Sequence, residues 1–146
     1  MKKKARMRMK ALATDRLNFA AKVQEEYAAG TLVPERGVAG IGIAIHEKGD
    51  GPVTRKNRPV SVHYVGMLAS DGSVFDESWS DGRPFKFFLG RKEVISGWDI
   101  GVALLGVGDR ATLFLPPELG YGAEGSPPDI PPQSELIFYV EVMEVN

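Results

Sequence analysis

The residues in this chain best suited to chemistry are aromatic. Around Trp98 stand Tyr64, Phe75, Phe85, Tyr121 and Phe138, each beside a turn or on a strand-like stretch. Several flank glycine- and proline-rich segments, where a surface hollow is easier to build than a closed core. Ordinary core packing explains any one of these rings; as a group they point to an apolar pocket. Asp76, directly after Phe75, is costly to bury without a partner. It reads either as a hydrogen-bond acceptor at the pocket's edge or as a plain turn residue. Trp98 is the most informative of the set. It lies in EVISGWDIGVALLGVGDR, residues 93–110, among glycines at 97, 101, 106 and 108. Each glycine inside a helix costs about 1 kcal/mol against alanine. The stretch therefore predicts a short helix with its indole near the start.

Other chemistries are poorly served. The chain has no cysteine, which removes disulfides and Cys-based metal sites. His46 and His63 are too few for the usual catalytic zinc set. GVAGIG places glycines at 37, 40 and 42, which is not the dinucleotide-binding spacing, and no long enough βαβ unit follows. The scattered Asp residues never make a calcium-loop pattern. The expectation is a site without cofactor or metal.

Those rings need a frame, and the pattern around them is mostly β. Residues 38–45 (VAGIGIAI) form an apolar run interrupted by glycine, and HEKGDGP after it supplies a turn. PVSVHYVGML alternates cleanly, PFKFFLG places Phe85, Phe87 and Leu89 on one side, and ATLFL and LIFYVEV complete the strands. ASDGS is a hairpin-type turn, because Asp-Gly tolerates positive φ. The pattern predicts an α+β fold: a curved antiparallel sheet whose concave face is covered by the short helix bearing Trp98. His63 precedes Tyr64 on its strand and should point the opposite way, as a structural residue.

The 146 residues fit one domain, with 43% apolar and 25% charged residues as in a globular protein. Charge is uneven. Six of the 18 basic residues lie in the first ten, and all 19 acidic residues come later, so residues 11–146 carry a formal −7. The basic start is expected to be a disordered, solubilising tail rather than a nucleic-acid arm. From about residue 14 to residue 29 an amphipathic helix follows, with Leu17, Ala20, Ala21, Val23 and Tyr27 on one face and Gly30 ending it. It is expected to pack on the domain, pair with a second copy or fray. TLVPERG reads as a linker, which sets residues 1–34 apart from a domain at 35–146. No run approaches 18 apolar residues, so no spanning helix is expected. Cytoplasmic placement is the expectation, with the periplasm left open.

At this point the motifs carry a resemblance. VHYVGML, VFDES, PFKFFLG, EVISGWDIGVALLGVGDRATL, GYGAEGSPPDIPP and LIFYVEV resemble, in order and spacing, successive blocks of the FKBP family of peptidyl-prolyl cis–trans isomerases. The likeness spans residues 40–146. It implies a strongly twisted antiparallel sheet wrapped around a short helix, with the ligand pocket between them and Trp98 as its floor. By the same likeness Tyr64, Phe75, Phe85 and Phe138 are pocket walls, with Val94 and Ile95 at one side and Ile130 on a mobile loop. Asp76 matches the carboxylate facing Tyr64. Tyr121 resembles the phenol that hydrogen-bonds a bound carbonyl, and the Ile95 N–H a second donor. Phe87 and Leu136 read as support.

The implied activity is rotation about Xaa-Pro bonds, assisting protein folding, with no cofactor. Proline-containing peptides and unfolded or nascent chains are the implied partners, with weak binding of macrolides related to FK506 and rapamycin. The alternative is a proline-recognition or chaperone-like module with little turnover. The chain departs from the family's compact members at Ser126 and Asp129, where larger apolar side chains are usual. Asp129 is expected to meet the side chain that precedes the substrate proline.

Overall fold

The computed structural model describes residues 2–146. One antiparallel sheet organises them. Its strands are β1 (Glu35–Arg36), β2 (Gly42–Glu47), β3 (Pro59–Leu68), β4 (Val74–Glu77), β5 (Phe85–Phe88), β6 (Arg110–Leu115) and β7 (Leu136–Val145). Across the sheet the order is β1-β2-β6-β7-β3-β4, and β5 pairs with the other half of β3. The two ten-residue strands, β3 and β7, pair along their length at the centre, with Tyr64 opposite Val140 and Gly66 opposite Phe138.

Period-two alternation sends each strand's residues to two faces. Val60, Val62, Leu113, Leu115, Leu136, Phe138, Val140 and Val142 form the concave core beneath the short helix α2 (Ser96–Gly101). Val65, Met67, Phe114, Ile137 and Tyr139 form a second apolar layer on the convex face. This explains why LIFYV reads as an unbroken apolar run: both of its faces are covered.

The cover on the convex face is α1 (Lys3–Ala28). Ala20 and Val23 are buried there, and Tyr27 rests against Phe114 with ring centroids 4.5 Å apart. Gln24 donates to the Ala69 carbonyl at 3.0 Å and Tyr27 to Glu135 at 2.6 Å. Arg16 pairs with Glu141, which also accepts from the buried Tyr139 hydroxyl at 2.6 Å. Burial, then that hydrogen bond, raises the Tyr139 phenol above its usual range, so it remains a neutral donor.

The helix differs from the sequence expectation in extent. The basic run expected to be a disordered tail is helical from Lys3. It holds Lys, Arg, Met and Ala, all good helix formers, without Gly or Pro. Once residues 13–27 are anchored on the sheet, extending the helix needs no new nucleus. The apolar face that pairing with a second copy would have used lies against the chain's own sheet. Among the strands, residues 38–40 form a 3₁₀ turn instead of strand, with Ala39 and Gly40 both at positive φ, and β2 starts only at Gly42. Strand β4, which carries Phe75 and Asp76, was not expected as a strand.

A buried carboxylate that belongs to no motif ties together the loops around residues 48–49 and 106. Asp109 is about 1% exposed. It accepts from the Gly49 N–H at 2.7 Å, the Gly106 N–H at 2.9 Å and the Lys48 ammonium at 2.9 Å. Burial alone would raise its pKa, but these donors outweigh it and hold the carboxyl below its ordinary 3.8. A depressed carboxyl stabilises the fold above the ordinary value and loses that contribution as pH falls through the lower, folded one.

Two outcomes follow. Asp109→Asn destabilises the protein at neutral pH, and the gap from wild type narrows in acid-titrated urea melts. A gap that is constant from pH 7 to below 3 would refute this. Deleting residues 1–33 uncovers Phe114, Ile137 and Tyr139; at ~1.5–3 kcal/mol per large buried side chain, urea unfolding should record a loss of at least ~3 kcal/mol. An unchanged midpoint would mean that α1 adds no stability.

Candidate functional site

The site begins with how close α2 comes to the sheet. A Cβ built on Gly101 would sit 2.6 Å from the Leu113 side chain, and one on Gly97 would collide with Leu115. The two glycines let the helix lie directly on β6. Trp98, between them in sequence, is 4% exposed and lines a hollow.

Rings stand edge-on around that floor. Tyr64 lies 4.9 Å from the Trp98 ring at 80°, and Phe138 lies 5.4 Å away at 88°. Phe85 is 6.0 Å away at 76°, and Phe87 supports from 5.6 Å. Phe75 meets Phe138 edge-to-face at 5.6 Å. Such geometry matches the preference of aromatic quadrupoles for T-shaped contact. The hollow is about 210 Å³ and is lined by Tyr64, Phe75, Asp76, Phe85, Glu93, Val94, Ile95, Trp98, Tyr121 and Phe138.

Strand register explains the polar rim. Gly66 opposes Asp76 across β3 and β4, so Tyr64 is a diagonal neighbour of that carboxylate. The Tyr64 hydroxyl donates to Asp76 at 2.6 Å. Burial, followed by this hydrogen bond and the carboxylate's charge, raises the Tyr64 phenol above its usual range. Tyr121 is 40% exposed at the mouth, its phenol raised by burial and then by Asp76. Both phenols are therefore neutral donors at physiological pH. Trp98 Nε1 is buried with no hydrogen-bond partner among the described residues.

Nine of the eleven residues expected from sequence come together here. Asp129 and Ile130 do not line the hollow. Ile130 is buried in the concave core, held by paired backbone hydrogen bonds with Ser126 at 2.8 and 3.0 Å. It belongs to the same buried cluster as Trp98 and Phe138. Asp129 stays in solvent at the tip of the same turn. His63 points to the convex face as expected, bonded to Ser78 at 2.8 Å and stacked on Trp79 at 4.0 Å.

Sequence reasoning missed two residues. Glu93 lines the hollow while accepting from the Phe88 N–H at 3.0 Å; its type carries no signal. Gly66 did leave one, as the lone glycine inside a strand. A Cβ there would lie 2.7 Å from the Phe138 ring and 2.9 Å from the Phe75 ring, so only glycine leaves room for both walls.

Comparison with known proteins agrees with this geometry. A model of the FKBP-type peptidyl-prolyl cis-trans isomerase family matches residues 51–143. The chain belongs to that family. It is 48% identical over 108 residues to peptidyl-prolyl cis-trans isomerase Fkbp12 of Drosophila melanogaster, covering 73% of this chain and 99% of that one. It is 45% identical over 107 residues to the 46 kDa FK506-binding nuclear protein of Spodoptera frugiperda. That match covers 73% of this chain but only 26% of the nuclear protein, about a quarter of its length. Among solved structures, that of AtFKBP13 superposes with a TM-score of 0.74 at 34% identity, covering 79% of this chain and all of the other.

The geometry generates two expectations. Trp98→Ala removes the floor and costs ~3–5 kcal/mol of stability; in the fraction that stays folded by circular dichroism, proline-peptide affinity and turnover should fall at least tenfold. Full activity would place the site elsewhere. Because Asp129 is off the wall and solvated, Asp129→Ile should change the ratio of Leu-Pro to Lys-Pro turnover by less than about twofold at low salt, since an exposed charge contact is worth only ~0.2–1 kcal/mol. A several-fold change would place the carboxylate against the substrate.

Proposed function

We propose that this chain catalyses cis–trans rotation about Xaa-Pro bonds in unfolded or nascent proteins, with the hollow above Trp98 as the site. The observation that carries the reading is the indole floor ringed edge-on by Tyr64, Phe85 and Phe138, under a rim whose only hydrogen-bonding groups are neutral phenols, backbone and carboxylates. This environment suits a pyrrolidine ring. Amide rotation needs no nucleophile: resonance sets a barrier of ~18–20 kcal/mol, and the twisted transition state has lost that resonance. Its carbonyl carries less dipole than the planar amide, so it loses less on leaving water. A dry, apolar hollow therefore binds the twisted form better than the planar one.

In this reading the proline ring sits on Trp98 between Phe85 and Phe138. Val94 and Ile95 close one side. Tyr121, at the mouth, and the Ile95 N–H, just before α2, donate to the carbonyls that flank the turning bond. Tyr64 and Asp76 hold each other at the edge, which keeps both walls fixed while the preceding carbonyl swings. Ile130 supports from beneath. The names of the FK506-binding relatives support macrolides of that type as ligands of the same hollow. The polar Ser126 and Asp129 turn adds no apolar contact, which supports weak binding.

The test is exchange of a short Xaa-Pro peptide, followed without a coupled protease at micromolar protein. Acceleration of cis-to-trans exchange well above the uncatalysed tens to hundreds of seconds is expected, inhibited by FK506 at high concentration. Peptide binding without acceleration would instead identify a proline-recognition module.

A further inference from the structure

A second hollow lies on the opposite side of the sheet, where the isomerase reading gives it no role. It runs between the first half of α1 and the 3₁₀ turn Trp79–Asp81, with a volume of about 510 Å³. Met9 and Leu17 form its floor, and Arg6 and Lys10 stand on its helical rim. The Trp79 ring is 3% exposed, yet its Nε1–H has no acceptor among the described residues. A buried indole donor is normally satisfied, so Trp79 is an unusual residue in the wall of this hollow.

The rim continues into a dense positive charge. Lys2, Lys3, Lys4, Arg6, Arg8 and Lys10 are all exposed, and none is in an ion pair among the described residues. No acidic residue precedes Asp15. While this segment was read as a disordered tail, its charges had no fixed place. In the structure Arg6 and Lys10 line the hollow, and the other four cations stand on the neighbouring N-terminal residues.

We infer that this hollow and its basic helix dock single-stranded nucleic acid, with phosphates on the cations and one unstacked base in the hollow. Three chemistries compete for such a surface, and the residues separate them. An acidic peptide would bring carboxylates against Asp81, which lines the same wall; a base can donate an amino or imino N–H to it. A membrane surface requires a continuous exposed apolar face. Here Ala5 and Met9 are partly covered, and the exposed Met7 and Leu12, five residues apart, fall on different faces of the helix and make no continuous patch. A base uses what the hollow provides: the Trp79 residue in its wall, the Asp81 acceptor and apolar contact with Met9. Single strands present such edges, since their bases can be splayed out of the stack.

The experiment uses the full chain and a fluorescein-labelled 12-nucleotide RNA of mixed sequence, read by anisotropy. Micromolar binding is expected at 50 mM salt. Single-strand affinity falls with a log–log slope of about −0.7 per phosphate neutralised, so with four to six contacts a rise to 200 mM salt should weaken binding about 50- to 300-fold. Arg6→Gln with Lys10→Gln should weaken it at least about tenfold while isomerase activity stays unchanged. Trp79→Phe should weaken it several-fold without altering the salt slope. In the wild type the Trp79 indole resonance should shift on adding RNA while that of Trp98 stays. This readout stands even if Trp79→Phe folds poorly. The inference is overturned by absence of RNA binding at 50 mM salt, by equal binding to the Arg6/Lys10 variant, or by an unmoved Trp79 resonance. Equal or tighter binding of duplex DNA, polyglutamate or phosphatidylserine vesicles would overturn it in favour of that ligand.

Discussion

Everything on the concave side depends on one close approach: a six-residue helix lying directly on a curved sheet. Leu113 and Leu115 occupy the space that side chains at positions 101 and 97 would need. Interior glycine is a poor choice for helix stability, and the short length of α2 keeps that cost small. In return the indole of Trp98 is brought within edge-to-face range of rings on β3, β5 and β7 at once. The same logic recurs on β3, where Gly66 clears the space in which Phe75 and Phe138 meet. The hollow thus exists because backbone, at three places, has no Cβ.

Much of this was legible in the sequence because its causes are local. The glycines around Trp98, the alternation in PVSVHYVGML and the Asp-Gly turn each act over a few residues, and each gave the right element. The pocket rings could be gathered through family likeness, and nine of eleven expected residues do line the hollow. What escaped depended on tertiary context. Ile130 looks the same in sequence whether it faces the cavity or the core; the backbone pairing with Ser126 decides, and that pairing is set by a loop whose path no periodicity records. Asp109 is one carboxylate among many until Gly49, Gly106 and Lys48 converge on it. The helical state of residues 3–13 depends on the anchored turns that follow, so composition alone read them as a tail.

The sheet is unusual for an antiparallel one in being covered on both faces, and the two covers differ in kind. On the concave side the contact is tight, glycine-permitted and aromatic. On the convex side α1 lies over a layer that mixes apolar packing with the Arg16–Glu141–Tyr139–Arg110 chain of hydrogen bonds and ion pairs. The buried Tyr139 and the stacked His63–Trp79 pair belong to this second layer. Because β3 and β7 contribute to both faces, residues that support α1 alternate along the same strands with residues that wall the hollow. No side chain of α1 lines the hollow itself.

The central claim is that proline seats on the Trp98 indole. The chain has two tryptophans, one on each side of the sheet, and both indole N–H groups lack an acceptor among the described residues. A proton–nitrogen correlation spectrum therefore shows two indole signals, assigned with Trp79→Phe. On titration with an Ala-Xaa-Pro-Phe peptide, the account predicts that the Trp98 signal shifts or broadens with a saturation point matching the KM for exchange, while the Trp79 signal stays in place. A Trp98 signal that does not respond while exchange is accelerated would contradict it.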